Sequence, residues 1–132
     1  AITAAVLGAK TVVAVERDPD ALGNTLENIR HNRVEERTTV VAGDLADVAL
    51  DAGDVVTANL TGAFFVRHAA RVLRCVQAHG ILIASGITTD EEHPVRAALE
   101  PLLILRERTA EDDWIGLVFE RSSASVPPRT RT

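Results

Sequence analysis

Four short stretches carry the side chains with most to offer chemically: Glu16, then Gly43-Asp44, then Asn59-Leu60-Thr61-Gly62, then Ser85-Gly86. Each closes an apolar run, and ligands of open α/β sheets bind outside the carboxyl ends of the strands. A carboxylate such as Glu16 at a strand end has two oxygens that match the cis-diol of a ribose; a solvated strand end is the plain alternative. Asp44 could accept the exocyclic amine of an adenine, or serve as ordinary Gly-Asp turn chemistry. Asn59 offers donors and acceptors together, enough to hold a ligand amine and carboxylate or an incoming nucleophile. Its alternative is to satisfy the start of the next helix, a task that Thr61 can also perform.

The other reactive side chains promise less. Cys75 lies on an apolar helical stretch and reads as a small packing residue. His31, His68, His79 and His93 show no ligand-like spacing, and one cysteine excludes a disulfide framework or a cysteine-rich zinc site. Trp114 reads as hairpin packing.

These positions need a scaffold, and the pattern supplies one. Residues 1–9 are the end of an Ala-rich helix stopped by Gly8. TVVAVE over 11–16 is a continuous apolar run, the mark of a strand buried on both faces. Asp18 then offers an N-cap and Pro19 the first helical position, opening a helix to about Asn32. Strands follow over 38–42 and 54–60, then a helix over 62–79 ended by Gly80, then a strand over 80–87. A capping box at Thr89–Glu92 precedes a helix starting at His93 or Pro94 and running to Glu100. Two strands, 102–108 and 114–121, are joined by the polar loop 109–113. Alternating strands and helices give an α/β, Rossmann-like sheet, mostly parallel, closed by a C-terminal antiparallel hairpin. Residues 1–121 form the domain, and 122–132, rich in Ser, Pro and Arg, are expected to be a disordered tail.

The chain has 132 residues, one domain by length, with 46% apolar and 25% charged residues. Fourteen basic residues stand against 19 acidic ones, a net charge of −5, which counts against duplex DNA as a partner. No apolar run is long enough to span a membrane. The reading is a cytoplasmic protein.

Five segments then match a family: Ala-Ile-Thr-Ala-Ala-Val-Leu-Gly-Ala-Lys, Val-Ala-Val-Glu-Arg-Asp-Pro, Val-Val-Ala-Gly-Asp-Leu, Val-Thr-Ala-Asn-Leu and Ile-Leu-Ile-Ala-Ser-Gly-Ile. In order and spacing, residues 1–121 resemble the catalytic domain of the PrmA-type ribosomal protein methyltransferases, class I enzymes dependent on S-adenosylmethionine. The closing Trp-Ile-Gly-Leu-Val resembles that family's final hairpin strand. The resemblance implies that Glu16, where the family usually has Asp, holds the cofactor ribose. It implies that Asp44 approaches the adenine and that Asn59, the catalytic candidate, lies beside the methionine moiety and the reacting methyl.

Two departures shape the expectation. The family's glycine-rich motif, Asp-x-Gly-x-Gly-Ser-Gly, and its first strand are absent, so the chain is expected to be an N-terminally truncated piece, inactive by itself. The Asn-Pro-Pro-Tyr motif of enzymes acting on base or amide nitrogens is replaced by Asn59-Leu60-Thr61-Gly62. That fits the PrmA type, whose acceptors are lysine and N-terminal amines of a ribosomal protein. Two alternatives stand beside this reading: a nicotinamide-dependent oxidoreductase of Rossmann type, and a catalytically silent binding domain. The lack of any Tyr removes the acid of short-chain dehydrogenases from the first.

Overall fold

The computed structural model describes residues 1–122, so the expected tail falls, but for Ser122, outside the described residues. The chain divides into two compact units, Ala1–Ala49 and Leu50–Thr132.

The first unit holds α1 (Ile2–Val6), β1 (Val12–Glu16), α2 (Pro19–His31) and β2 (Thr38–Ala42). Asp18 caps α2, its side chain accepting the Asp20 N–H at 3.0 Å, with Pro19 in the first turn as the sequence predicts. β1 and β2 pair in parallel, from Val12 opposite Thr38 to Glu16 opposite Ala42. Ala5, Ile29 and Val34 form the small core, with Ile2, Val12 and Val40 against it. Both helices therefore feed one cluster on one face. That corrects the expectation of a strand buried on both faces, since Val13, pointing the other way, is 56% exposed.

The second unit holds β3 (Gly53–Asn59), α3 (Gly62–Arg67), α4 (Ala69–Arg74), β4 (Val76–Thr88), a 3₁₀ turn (Thr89–Glu91), α5 (Glu92–Leu99), β5 (Ile104–Glu111) and β6 (Trp114–Glu120). Its sheet has the order β3-β4-β6-β5, with β3 parallel to β4 and the other pairs antiparallel. Leu82, Ala84 and Ile87 of β4 and Ile115, Leu117 and Phe119 of β6 meet Phe65, Val72, Leu73, Val95 and Leu99 from the helices. Each large apolar side chain fully buried there is worth about 1.5–3 kcal/mol. On the opposite face Val55 and Ile83 remain open.

Several boundaries differ from the sequence reading. The single helix over 62–79 is two short helices broken at His68, and strand begins at Val76, not Gly80. Pairing is the cause: Val76 sits opposite Gly53, and the His79 N–H donates to the Arg121 carbonyl at 2.9 Å. The hairpin turn is tighter, Asp112-Asp113, with Asp112 at φ 53, a conformation that Asp tolerates. The capping box sits one residue earlier, the Glu91 carboxylate accepting the Thr88 N–H at 3.0 Å, and α5 starts at Glu92.

The edge strand β5 is rich in charge, which discourages edge-to-edge pairing. Arg108 reaches α5, its Nε and Nη2 donating to the two Glu92 carboxylate oxygens at 2.7 and 2.6 Å. The Arg108 hydrogen bonds hold the Glu92 carboxyl below the usual carboxylate range, with Arg96 adding to the effect. The folded state thus has the lower pKa. The pair's contribution is fully present above the unfolded value, near 4.3, and is lost as pH falls through the folded one. Glu92→Gln should therefore lower Tm at pH 7, and the gap to the unaltered protein should close below about pH 4. A gap that stays constant from pH 7 to pH 3 would contradict this.

Candidate functional site

In the first unit the parallel register brings Glu16 and Asp44 to the same end of neighbouring strands. The Gly43 N–H donates to the Glu16 carbonyl at 3.0 Å, tying the two strand ends together. The Glu16 side chain is not simply solvated. Its Oε1 accepts the Asp18 N–H at 3.0 Å, which orients the carboxylate at the entrance to α2. Each carboxylate oxygen can accept two hydrogen bonds, so capacity remains on both oxygens for a diol.

Asp44 performs the turn chemistry that was its plain alternative. Its Oδ1 accepts the Ala46 N–H at 2.9 Å, and its carbonyl accepts the N–H groups of Asp47 and Val48 at 2.9 and 3.1 Å. Oδ2 stands 3.8 Å from the Arg17 guanidinium in an exposed pair, a weak contact.

In the second unit Asn59 is the last residue of β3, opposite Ser85, and is exposed. The helix start that could have occupied it is served instead by Thr61, whose Oγ1 accepts the Phe64 N–H at 3.2 Å. An open groove of about 630 Å³ begins at Thr61, lined also by Phe64, Arg67, His68, Glu91 and Pro94. The Phe64 and His68 rings lie 4.6 Å apart across one helical turn. Composition and spacing gave no sign of this groove, because Glu91 and Pro94 reach it only through the fold. Glu16 and Asp44 share the first unit, whereas Asn59 stands in the second.

Trp114 is 58% exposed rather than packed in the hairpin. Cys75 is half-buried, its thiol donating to the Arg71 carbonyl at 3.5 Å, and burial pushes its pKa up despite nearby Arg71. That is the opposite of what activates a nucleophilic thiol. Among the described residues no three His, Cys, Asp or Glu side chains are arranged to hold a metal, and no helix is long and apolar enough to cross a membrane.

Parallel strand pairs with polar residues at their carboxyl ends, followed by a closing antiparallel hairpin, are the architecture of the Rossmann-like methyltransferases. A solved ribosomal protein L11 methylase from Lactobacillus delbrueckii subsp. bulgaricus superposes with a TM-score of 0.83 at 26% identity, over 92% of this chain and 64% of that one. An RNA methyltransferase from Salinibacter ruber, in complex with S-adenosyl-L-homocysteine, shares the fold at 14% identity, with a TM-score of 0.71 over 98% of this chain and 76% of that one. Within that class the assignment is specific. The chain belongs to the ribosomal protein L11 methyltransferase (PrmA) family, whose model matches residues 1–122. A ribosomal protein L11 methyltransferase of Heliobacterium modesticaldum is 33% identical over 126 residues, 95% of this chain and 40% of that protein. The chain thus spans about 40% of the length of the curated relatives it matches. All these relatives are methyltransferases, so the nicotinamide alternative has no support.

Proposed function

We propose that this chain forms the cofactor-facing part of an enzyme that transfers a methyl group from S-adenosylmethionine to amines of a ribosomal protein in the cytoplasm, with residues 1–121 as its catalytic domain. The observation that carries this reading is the family match across 1–122, with Glu16, Asp44 and Asn59 all at carboxyl ends of parallel strands. The residues present fit the cofactor. Glu16 is a half-buried carboxylate already oriented by Asp18 and able to accept from two ribose hydroxyls. Asp44, at the next strand end, takes the adenine side with a carboxylate whose Oδ1 already serves its turn. The cofactor supplies the methyl group on a sulfonium centre.

Asn59 then has the work of alignment. An attacking amine must be neutral, yet a lysine with pKa near 10.4 is neutral in only about one molecule per few thousand at pH 7. Holding that nitrogen in line with the methyl carbon, in a site that sheds water, lowers the barrier without a covalent protein intermediate. The test uses the longest product encoded by the gene, labelled S-adenosylmethionine and a ribosomal protein. Label should appear on amine nitrogen, and Asn59→Ala should slow transfer about 10²-fold, the scale of misaligned reactants. Absence of label, or an unchanged rate in the variant, overturns the reading.

A further inference from the structure

β4 carries one residue more than its partner beside Asn59. Ala84 pairs with Leu117 and Ile87 with Ile115, so Ser85 and Gly86 form a bulge. Bulges next to reactive sites re-aim side chains. Gly86 has φ +82, a conformation that L side chains rarely adopt. A Cβ there would lie 2.5 Å from Asn59 Oδ1, 2.8 Å from the Leu60 carbonyl oxygen and 3.3 Å from the Leu60 nitrogen. The same turn is fixed from below, since the Leu60 N–H donates to the Ser85 carbonyl at 3.1 Å.

A glycine needed only for its backbone conformation would leave open space where a side chain would point. Gly8 does so: its φ is +107 and nothing lies within 4 Å of an added Cβ. At Gly86 that space is filled by the amide of Asn59 from the neighbouring strand. Asn59 is exposed, so core packing does not fix its rotamer, whereas methyl transfer needs its amide in one place.

We propose that Gly86 is a positioning residue: the Ser85-Gly86 bulge forms a side-chain-free shelf on which the Asn59 amide rests in its reacting orientation. This rests on the reading of Asn59 as a group that touches the methyl donor or acceptor. The shelf explains why a glycine interrupts the end of β4.

The test compares Gly86→Ala, Asn59→Ala and the double variant, with Gly23→Ala as control, an exposed helical glycine with nothing within 4 Å of an added Cβ. On the longest product of the gene, Gly86→Ala should cut kcat about 10²-fold while cofactor Kd moves less than about 3-fold, the pattern of misalignment. In the Asn59→Ala background the same change should have almost no further effect on kcat. Two losses that multiply, or a parallel loss of Kd and kcat tracking the folded fraction, would overturn the proposal.

A second measurement needs no variant. In the 132-residue chain, ¹⁵N relaxation of the Asn59 side-chain amide should give an order parameter of about 0.8, and a value below about 0.6 overturns the shelf. If Asn59→Ala alone turns over normally, the functional reading fails, and the order parameter still decides whether Gly86 holds that side chain.

Discussion

Arg121→Ala should cost about 2–4 kcal/mol of folding stability, given that hydrogen bonds to a charged group contribute about 1.5–3 kcal/mol and do not simply add. Arg121 follows β6 and is only 9% exposed. Its guanidinium Nη1 donates to the Val76 carbonyl at 2.5 Å and to the Leu73 carbonyl at 3.3 Å. Those carbonyls end α4 and begin β4, where a helix leaves acceptors without intrahelical donors and favours a cation. The backbone of Arg121 locks the same place, its N–H donating to the Gly80 carbonyl and its carbonyl accepting from His79, each at 2.9 Å. Truncation to Ala removes the guanidinium donor from both carbonyls in a buried corner. Arg121→Met separates the causes, because it keeps an apolar stem and removes every donor. Urea unfolding should show Met recovering less than half of the loss. A cost below about 1 kcal/mol for Ala, less than one charged hydrogen bond, would show that the guanidinium is replaceable by water.

Arg121 also shows where the sequence stops being informative. An arginine ahead of a Ser-rich stretch reads as a solvated strand end, and nothing local says that it turns back to the end of a helix 48 residues earlier. The local signals were legible by contrast. Asp18-Pro19 announces the start of α2, and Gly8 the end of α1, because capping and φ preferences act within a few residues. The division between helix and strand over 62–88 is not legible in the sequence, because Val76 continues the helical spacing but is claimed by pairing with Gly53 of β3, and His79 by the Arg121 carbonyl just past β6.

The candidate site divides the same way. Glu16, Asp44 and Asn59 could be singled out because a polar residue closing an apolar run marks a strand end, whatever the tertiary arrangement. Their partners could not. The Asp18 N–H on Glu16 depends on the path of the loop into α2, and the closeness of Gly86 to Asn59 depends on a bulge in a neighbouring strand. An isolated glycine inside a strand pattern was the available signal for that bulge.

Glu16→Ala should weaken S-adenosylmethionine binding by about 1.5–3 kcal/mol, roughly 10- to 150-fold in Kd. The expectation follows from one carboxylate accepting both hydroxyls of a ribose, contacts that alanine cannot replace. Glu16 has a second duty, since Oε1 accepts the Asp18 N–H, so the Ala variant could lose affinity merely by loosening the entrance to α2. Two further variants divide these causes. Glu16→Gln keeps an amide oxygen for Asp18 but presents an NH₂ donor where the diol needs an acceptor. Its Tm should match that of the unaltered protein while its affinity falls nearly as far as in Glu16→Ala. Glu16→Asp keeps both acceptors on a stem one methylene shorter, and the resemblance to a family that usually has Asp at this place implies a loss within about 5-fold, under 1 kcal/mol. Calorimetric titration of the longest product of the gene, beside its thermal melts, reads both quantities. Wild-type affinity in Glu16→Ala removes the ribose role, and full affinity in Glu16→Gln with weak binding in Glu16→Ala assigns Glu16 to the loop rather than the ligand.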